Sequence, residues 1–512
     1  MEGGTPMTTS APPSGGDVLN TPDPKRWWAL ALLCGAFFMV LLDGTIVLVA
    51  LPSIGADLGF SEQGLQWVLS AYALTFGGLL LLGGRAADLL GRRRLFMTGV
   101  LLFTAASLLC GLAWSPAALL AGRVAQGAGA AIMTPTALSI IATTFRDGEE
   151  RNKALGIWGG LGAVGATAAW LIGGPLVDGP GWEWIFFINI PLGLAALTLS
   201  PLLLRESRAT TAGRSYDPAG ALTITGALVL LVYALVEAPD AGWGSLRTIL
   251  LVAGSAVLLA AFALIESRHR APLVPLRIFR SRTLVGANAV MLLVGALAFA
   301  VPFILTLYAQ QVLGYSAVEF GVGSVVLAVG VAVGAIVGKA AVLKVGVRSV
   351  AATGLALIGA GSLLLTQISV GGSYFEDVFF GLAVVGPGIG LAFVTATVGA
   401  LAGVAEQEAG LASGLSNTAT QIGGALGVAI VTTVFLSRSD DYLAVNEGAN
   451  PLVVLNEGFQ SAFLACVVLT GIGMALALLL LGPRKAPQER LLSRTTKGGT
   501  NGKDRDQRQR HA

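Results

Sequence analysis

Two ionisable side chains stand inside otherwise apolar runs of this sequence: Asp43 in the first run, about two thirds of the way along, and Arg123 in the fourth. A charge at the centre of a membrane helix costs about 2.5 to 3.5 kcal/mol, so such residues usually face a polar interior and serve a function. A carboxylate that is alternately buried beside an arginine and opened to water can bind and release a proton, because burial and a nearby charge both change its proton affinity. Around Arg123 the helical face is small and polar, with Gly127 and Ala130 one and two turns on and Gln126 beside it. Two plainer readings stand beside these. Asp43 could hydrogen-bond to Thr45 or to a helix end, and Arg123 could extend its head to the nearer surface. Elimination favours Asp43 as the protonatable group, with Arg123 as its electrostatic partner. The two histidines, His269 and His511, fall in a loop and a tail, and Glu237, Glu319, Glu406 and Glu408 fall near helix ends where water is at hand. Glu319 is the next candidate.

A second concentration of charge is "GGRAADLLGRRRLF", Gly83 to Phe96. Asp88 and Arg92 are four apart, a spacing that allows a charge pair across a tight turn between two helices. Gly83, Gly84 and Gly91 let backbones approach, and Gly91 suits a turn position of unusual dihedrals. A short loop rich in arginine for topological reasons would explain Arg92, Arg93 and Arg94 but not Asp88.

The elements that position these residues are set by composition. The 512 residues are 54% hydrophobic and 12% charged, with 69 glycines, against about 25% charged in soluble domains. Fourteen apolar stretches are long enough to cross about 30 Å of hydrocarbon as helices: roughly 27–50, 66–84, 95–114, 117–141, 154–177, 184–203, 218–237, 248–265, 284–308, 320–342, 349–368, 378–402, 411–436 and 460–482. The runs are continuous, not alternating, which excludes a barrel, so the fold class is an all-α integral membrane protein. When the loops are sorted alternately to the two sides, all of the 32 basic residues except Arg123, Arg247 and Arg438 fall on the side of the termini. By the positive-inside rule that side is cytoplasmic, and the expected place is the inner (plasma) membrane, multi-pass, with both termini inside.

Residues 1–24 read as a disordered tail and 485–512 as a basic one, which an anionic leaflet could attract. The stretch "RHRAPLVPLRIFRSRT" mixes basic and apolar residues and could lie flat in the interface. About 437–459 forms the largest external loop, too short for a domain. Cys34, Cys110 and Cys466 sit in separate runs as small buried hydrophobes without a disulfide framework. No zinc-binding or nucleotide-binding motif and no loop of domain size is present, so an enzyme is not expected, nor a metal, a cofactor or a nucleic-acid partner.

"GGRAADLLGRRR" resembles the loop 2–3 signature of the major facilitator superfamily. "LLDGTIVLVALP" in span 1, "RVAQGAGAA" in span 4, "WEWIFFINIPLG" before span 6 and "AGLASGLSNTATQIGGALGVA" in span 13 agree with it, and fourteen spans resemble its drug:proton antiporter branch. The resemblance, over about 26–482, implies two six-helix bundles around a midplane cavity with a two-helix insert: 25–208, 209–270 and 271–484. It implies a conformational lock at Gly84, Asp88, Gly91, Arg92 and Arg93. It implies proton coupling for the Arg123 of "RVAQG", and bundles that rock against each other. A second copy of the loop signature is expected after span 10, and "GKAAVLKVGVRS" is a degraded candidate without the aspartate. The branch's span 5 signature is altered: Gly165, Gly173 and Gly174 are kept, but Ala169 replaces a glycine and Trp170 a proline, leaving span 5 straighter. Leu48 and Glu183 also depart from the pattern. Gln126, Gly127, Gly165, Trp170, Gly173 and Gly174 are then the expected cavity or cargo residues.

The function expected is a proton-coupled secondary active exporter of amphipathic small molecules or drugs, working as a monomer in the bilayer. A dedicated exporter of one metabolite, or a non-transporting membrane sensor of the same fold, are the alternatives.

Overall fold

The computed structural model describes residues 24–481 apart from 146–147, 208–216, 243, 270–271, 273, 275, 403 and 405–408. Both tails, Glu406 and Glu408 lie outside the described residues. The described elements are helical: α1 (Arg26–Leu58), α2 (Glu62–Leu90), α3 (Arg92–Gly111), α4 (Pro116–Thr144), α5 (Glu149–Asp178), α6 (Trp184–Phe187), α7 (Asn189–Leu203), α8 (Pro218–Ala241), α9 (Leu246–Arg268), α10 (Arg282–Gln311), α11 (Ala317–Val345), α12 (Val347–Leu365), α13 (Phe379–Leu401), α14 (Ala409–Val445) and α15 (Pro451–Leu480). Thirteen are long and apolar enough to span, counting α6 with α7 as Trp184–Leu203 and including in α13 the π-helical turn Tyr374–Val378 that precedes it. The expected span 218–237 is the exception. It lies in α8, whose described apolar stretch is Leu222–Leu235.

The helices start where a side chain can satisfy the first free amides. Ser61, Ser115, Ser245, Ser281 and Asn450 each accept a bond from an amide in the first turn, and proline follows Ser115 and Asn450. The last of these corrects the expected external loop at 437–459. α14 runs on to Val445, α15 begins at Pro451, and an Arg438–Glu457 pair at 3.0 Å joins the two extensions. Apolarity marks the hydrocarbon slab, whereas capping decides where the helix ends, so helices outrun their apolar runs.

α1–α7 form one bundle and α10–α15 a second. α8 and α9 pair with each other, and α8 packs on α2 and α14, one from each bundle. Helix pairs within a bundle approach closely through glycine: a Cβ on Gly127 of α4 would stand 2.6 Å from the Tyr72 carbonyl of α2, and one on Gly427 of α14 would overlap the Ala296 carbonyl of α10. The same single-residue junction occurs in both bundles, with Gly91 (φ 107°) between α2 and α3 and Gly346 (φ 89°) between α11 and α12. The degraded second signature thus keeps its turn.

α1 enters from the end holding Arg26, the basic end. At the opposite, far end the bundles are shut against each other. α1 and α10 share a core there with α5 and α11, in which Leu51, Ile54, Ile304 and Leu305 are fully buried. At the basic end, Gly156, Gly159, Gly160 and Gly162 of α5 face open space.

Candidate functional site

Asp43 and Arg123 meet. Both are fully buried, and Arg123 Nη1 lies 2.5 Å from Asp43 Oδ2. The arginine does not reach for a surface, and Asp43 is not bonded to Thr45. Arg123 Nη1 also donates to Gln126 Oε1 at 2.8 Å, and Nε donates to the Val68 carbonyl at 2.9 Å. The Tyr72 ring lies 4.3 Å from the guanidinium carbon, a cation–π contact in a dry site. Asp43 Oδ1 accepts from Gln126 Nε2 at 2.9 Å and from Asn189 Nδ2 at 3.0 Å. Ser107 Oγ accepts from Gln126 Nε2 at 2.8 Å. Arg123 Nη2 and Asn189 Oδ1 have no hydrogen-bond partner among the described residues.

Five helices supply this network: α1 (Asp43), α2 (Tyr72 and the Val68 carbonyl), α3 (Ser107), α4 (Arg123, Gln126) and α7 (Asn189). Arg123 and Gln126 are one turn apart, so they share a face of α4. Asn189 is the first residue of α7. Both carboxylate oxygens are thus occupied by three donors.

Asn189, Ser107 and Tyr72 were not singled out by sequence. Asn189 carried a signal: an amide in an apolar span needs partners. Ser107 carried none, since a serine in a membrane helix can bond its own backbone, as Ser107 also does to the Phe103 carbonyl at 2.9 Å.

The Asp88 side chain lies outside the described residues, so the expected Asp88–Arg92 pair is not on view. The first turn of α3 is held by the segment after α7. The Arg92 amide donates to the Ser207 carbonyl at 3.0 Å, and the amides of Arg93 and Arg94 donate to the two oxygens of Glu206 at 3.2 and 3.3 Å. Glu206 also lies 3.9 and 3.7 Å from the guanidinium Nε of Arg93 and Arg94. A carboxylate at a helix N-terminus is favoured by the free amides and by the helix dipole. Gly84 of α2 faces Pro135 of α4.

The residues expected to line a cavity are contacts between helices in this conformation. Gln126 belongs to the Asp43 network, and Gly127 seats α4 on α2. Gly165 and Gly173 of α5 abut Leu41 and Ile46 of α1, and a Cβ on Gly174 would stand 2.5 Å from Val318 Cα of α11. Trp170, 2% exposed, sets its indole edge-on to Phe320 of α11 at 5.7 Å. α5 is one unbroken helix through Trp170, with Pro175 in its last turn.

Comparison with known proteins decides the family. The description "Major Facilitator Superfamily" matches residues 33–428. The chain belongs to the major facilitator superfamily. Among its relatives, the puromycin resistance protein pur8 of Streptomyces alboniger is 39% identical over 473 residues, covering 92% of this chain and 93% of that protein. The cephamycin export protein CmcT of Amycolatopsis lactamdurans is 39% identical over 409 residues, 79% of this chain and 84% of that one. The tetracenomycin C resistance and export protein of Streptomyces glaucescens is 36% identical, over 84% of this chain and 80% of that one. A crystal structure of a bacterial homolog of the human lysosomal transporter Spinster matches the fold with a TM-score of 0.63 at 18% identity, covering 91% of this chain and all of that one. This superfamily consists of membrane transporters, not enzymes, and the network at Asp43 lies within the matched region.

Proposed function

We propose that this superfamily member is a secondary active exporter of amphipathic small molecules, driven by inward proton movement. The observation that carries the reading is the buried Asp43–Arg123 pair, a titratable charge held dry at the centre of the N-terminal bundle. In the arrangement described here the carboxylate is neutralised by Arg123. For a proton to replace that contact, α1 and α4 must shift, so proton binding is tied to a change in bundle geometry. One charge crossing 100 mV supplies about 2.3 kcal/mol, so no ATP site is needed. The basic end is the cytoplasmic face, in the inner (plasma) membrane, and the protein works as a monomer. The N-terminal bundle takes 25–208, the insert 209–270 and the C-terminal bundle 271–484. Trp170 and Gly174 line the cargo path once α5 and α11 part, while Gly165 and Gly173 keep α5 seated on α1.

Three relatives carry the name of a single antibiotic, and this favours a narrow cargo range as the second reading. Everted vesicles loaded with a pH-sensitive dye test both readings. Proton movement on adding an amphipathic compound supports exchange, and response to one scaffold alone, out of a varied set, selects the narrow version. No response to any compound at a verified proton gradient counts against transport.

A further inference from the structure

The far-end closure contains one polar contact whose parts come from both bundles and fit each other donor for acceptor. α11 begins with a capping box, in which Ser316 Oγ accepts from the Glu319 amide at 3.2 Å and Glu319 Oε2 accepts from the Ser316 amide at 2.9 Å. That leaves the amides of Ala317 and Val318 without a partner inside α11. Both are taken by one carboxylate of the other bundle. Asp178 Oδ1 accepts from the Ala317 amide at 3.2 Å and Oδ2 from the Val318 amide at 2.8 Å.

Asp178 is the last residue of α5. An acid at the C-terminus of its own helix faces the negative end of that helix's dipole, where it is disfavoured, and the positive end of α11 reverses the sign. Its placement therefore gains from docking of α11 and loses from undocking. The apolar part of the same seam is made to match: Gly174 faces Ala317 and Val318, Gly321 faces the Trp170 carbonyl, and Trp170 meets Phe320. A second crossing bond lies nearby, Gln310 Nε2 of α10 to the Val49 carbonyl of α1 at 3.0 Å.

We propose that Asp178 is the latch of the external gate: its carboxylate completes the N-terminus of α11 when the far end is shut and gives up both amides to water when it opens. Asp178 thereby sets the balance between the two access states. The latch deepens the transport reading but is measured without cargo, so failure to export any compound and failure of the latch are separate results.

The test is a distance measurement between spin labels on Leu112→Cys and Gly371→Cys, which sit at the far end of the N-terminal and C-terminal bundles. Both positions are exposed, and the three native cysteines are buried. The parent should show mainly the short distance. Asp178→Ala should raise the ratio of open to shut molecules by about tenfold, the scale of a lost helix cap, and Asp178→Asn, which keeps one acceptor but no charge, by less. Asp57→Asn is the control. Asp57 Oδ2 accepts from Trp182 Nε1 at 3.0 Å within a single bundle, so this variant should leave the distances unchanged. Parent-like distances in folded Asp178→Ala, or an equal opening in Asp57→Asn, would overturn the proposal.

Discussion

At Asp43 the carboxylate is held by an arginine, a glutamine and an asparagine, while its positive partner is held from below by an aromatic ring and a backbone carbonyl. Removing one member of such a buried pair leaves the other uncompensated, which costs about 3 to 5 kcal/mol, whereas replacing both by neutral groups of similar shape can be close to neutral. Arg123→Ala should therefore destabilise the detergent-solubilised protein strongly. Asp43→Asn with Arg123→Gln should recover most of that loss, measured by thermal unfolding of the two variants side by side. Equal destabilisation of the single and double variants would mean that the charges do not act as a pair. The acid and the base were legible in the sequence because a charge in an apolar run is conspicuous. Their pairing was expected by elimination, but its geometry was not legible, because 80 residues and two intervening helices separate them. Asn189 escaped notice for a related reason, since 146 residues separate it from Asp43.

Among the elements, α3 and α5 show how a span gains a function at its ends. α3 starts on Gly91 without a side-chain cap of its own, and Glu206 supplies one from beyond α7. Glu206→Gln should weaken this clamp by about 1 kcal/mol, seen as a lower unfolding temperature, while Glu149→Gln at the first turn of α5 should do less. A Glu206→Gln protein as stable as the parent would show that the arginines hold the turn by other contacts. α5 lies between α1 and α11, and Trp170 packs on Phe320 of the second bundle. Trp170→Ala should shorten the seam to Phe320, and in a resistance assay it should change which compounds are exported more than how much protein accumulates. An unchanged profile would make Trp170 a packing residue alone. The run of helices and the turn at Gly91 could be read from apolar length and glycine placement. Helix ends could not, because capping by Glu206, Asp178 and Asn450 lies outside the apolar signal.

For the whole molecule, shut contacts between the bundles at the far end and glycines of α5 facing open space at the basic end describe one side of an access cycle. The Asp43 network sits in the N-terminal bundle. Which surface lines the cargo path in the other state was not legible from residue type, since glycines that pack two helices and glycines that line a cavity read alike. In the proposed mechanism Asp43 ties proton movement to export. Reconstituted vesicles containing the parent or Asp43→Asn, with an imposed proton gradient and a transported compound, test it by following proton and compound together. The parent should move both, and Asp43→Asn should lose uphill export and its coupled proton flux at unchanged protein content. Proton flux with cargo at the parent rate in Asp43→Asn would contradict the account and direct attention to Glu319.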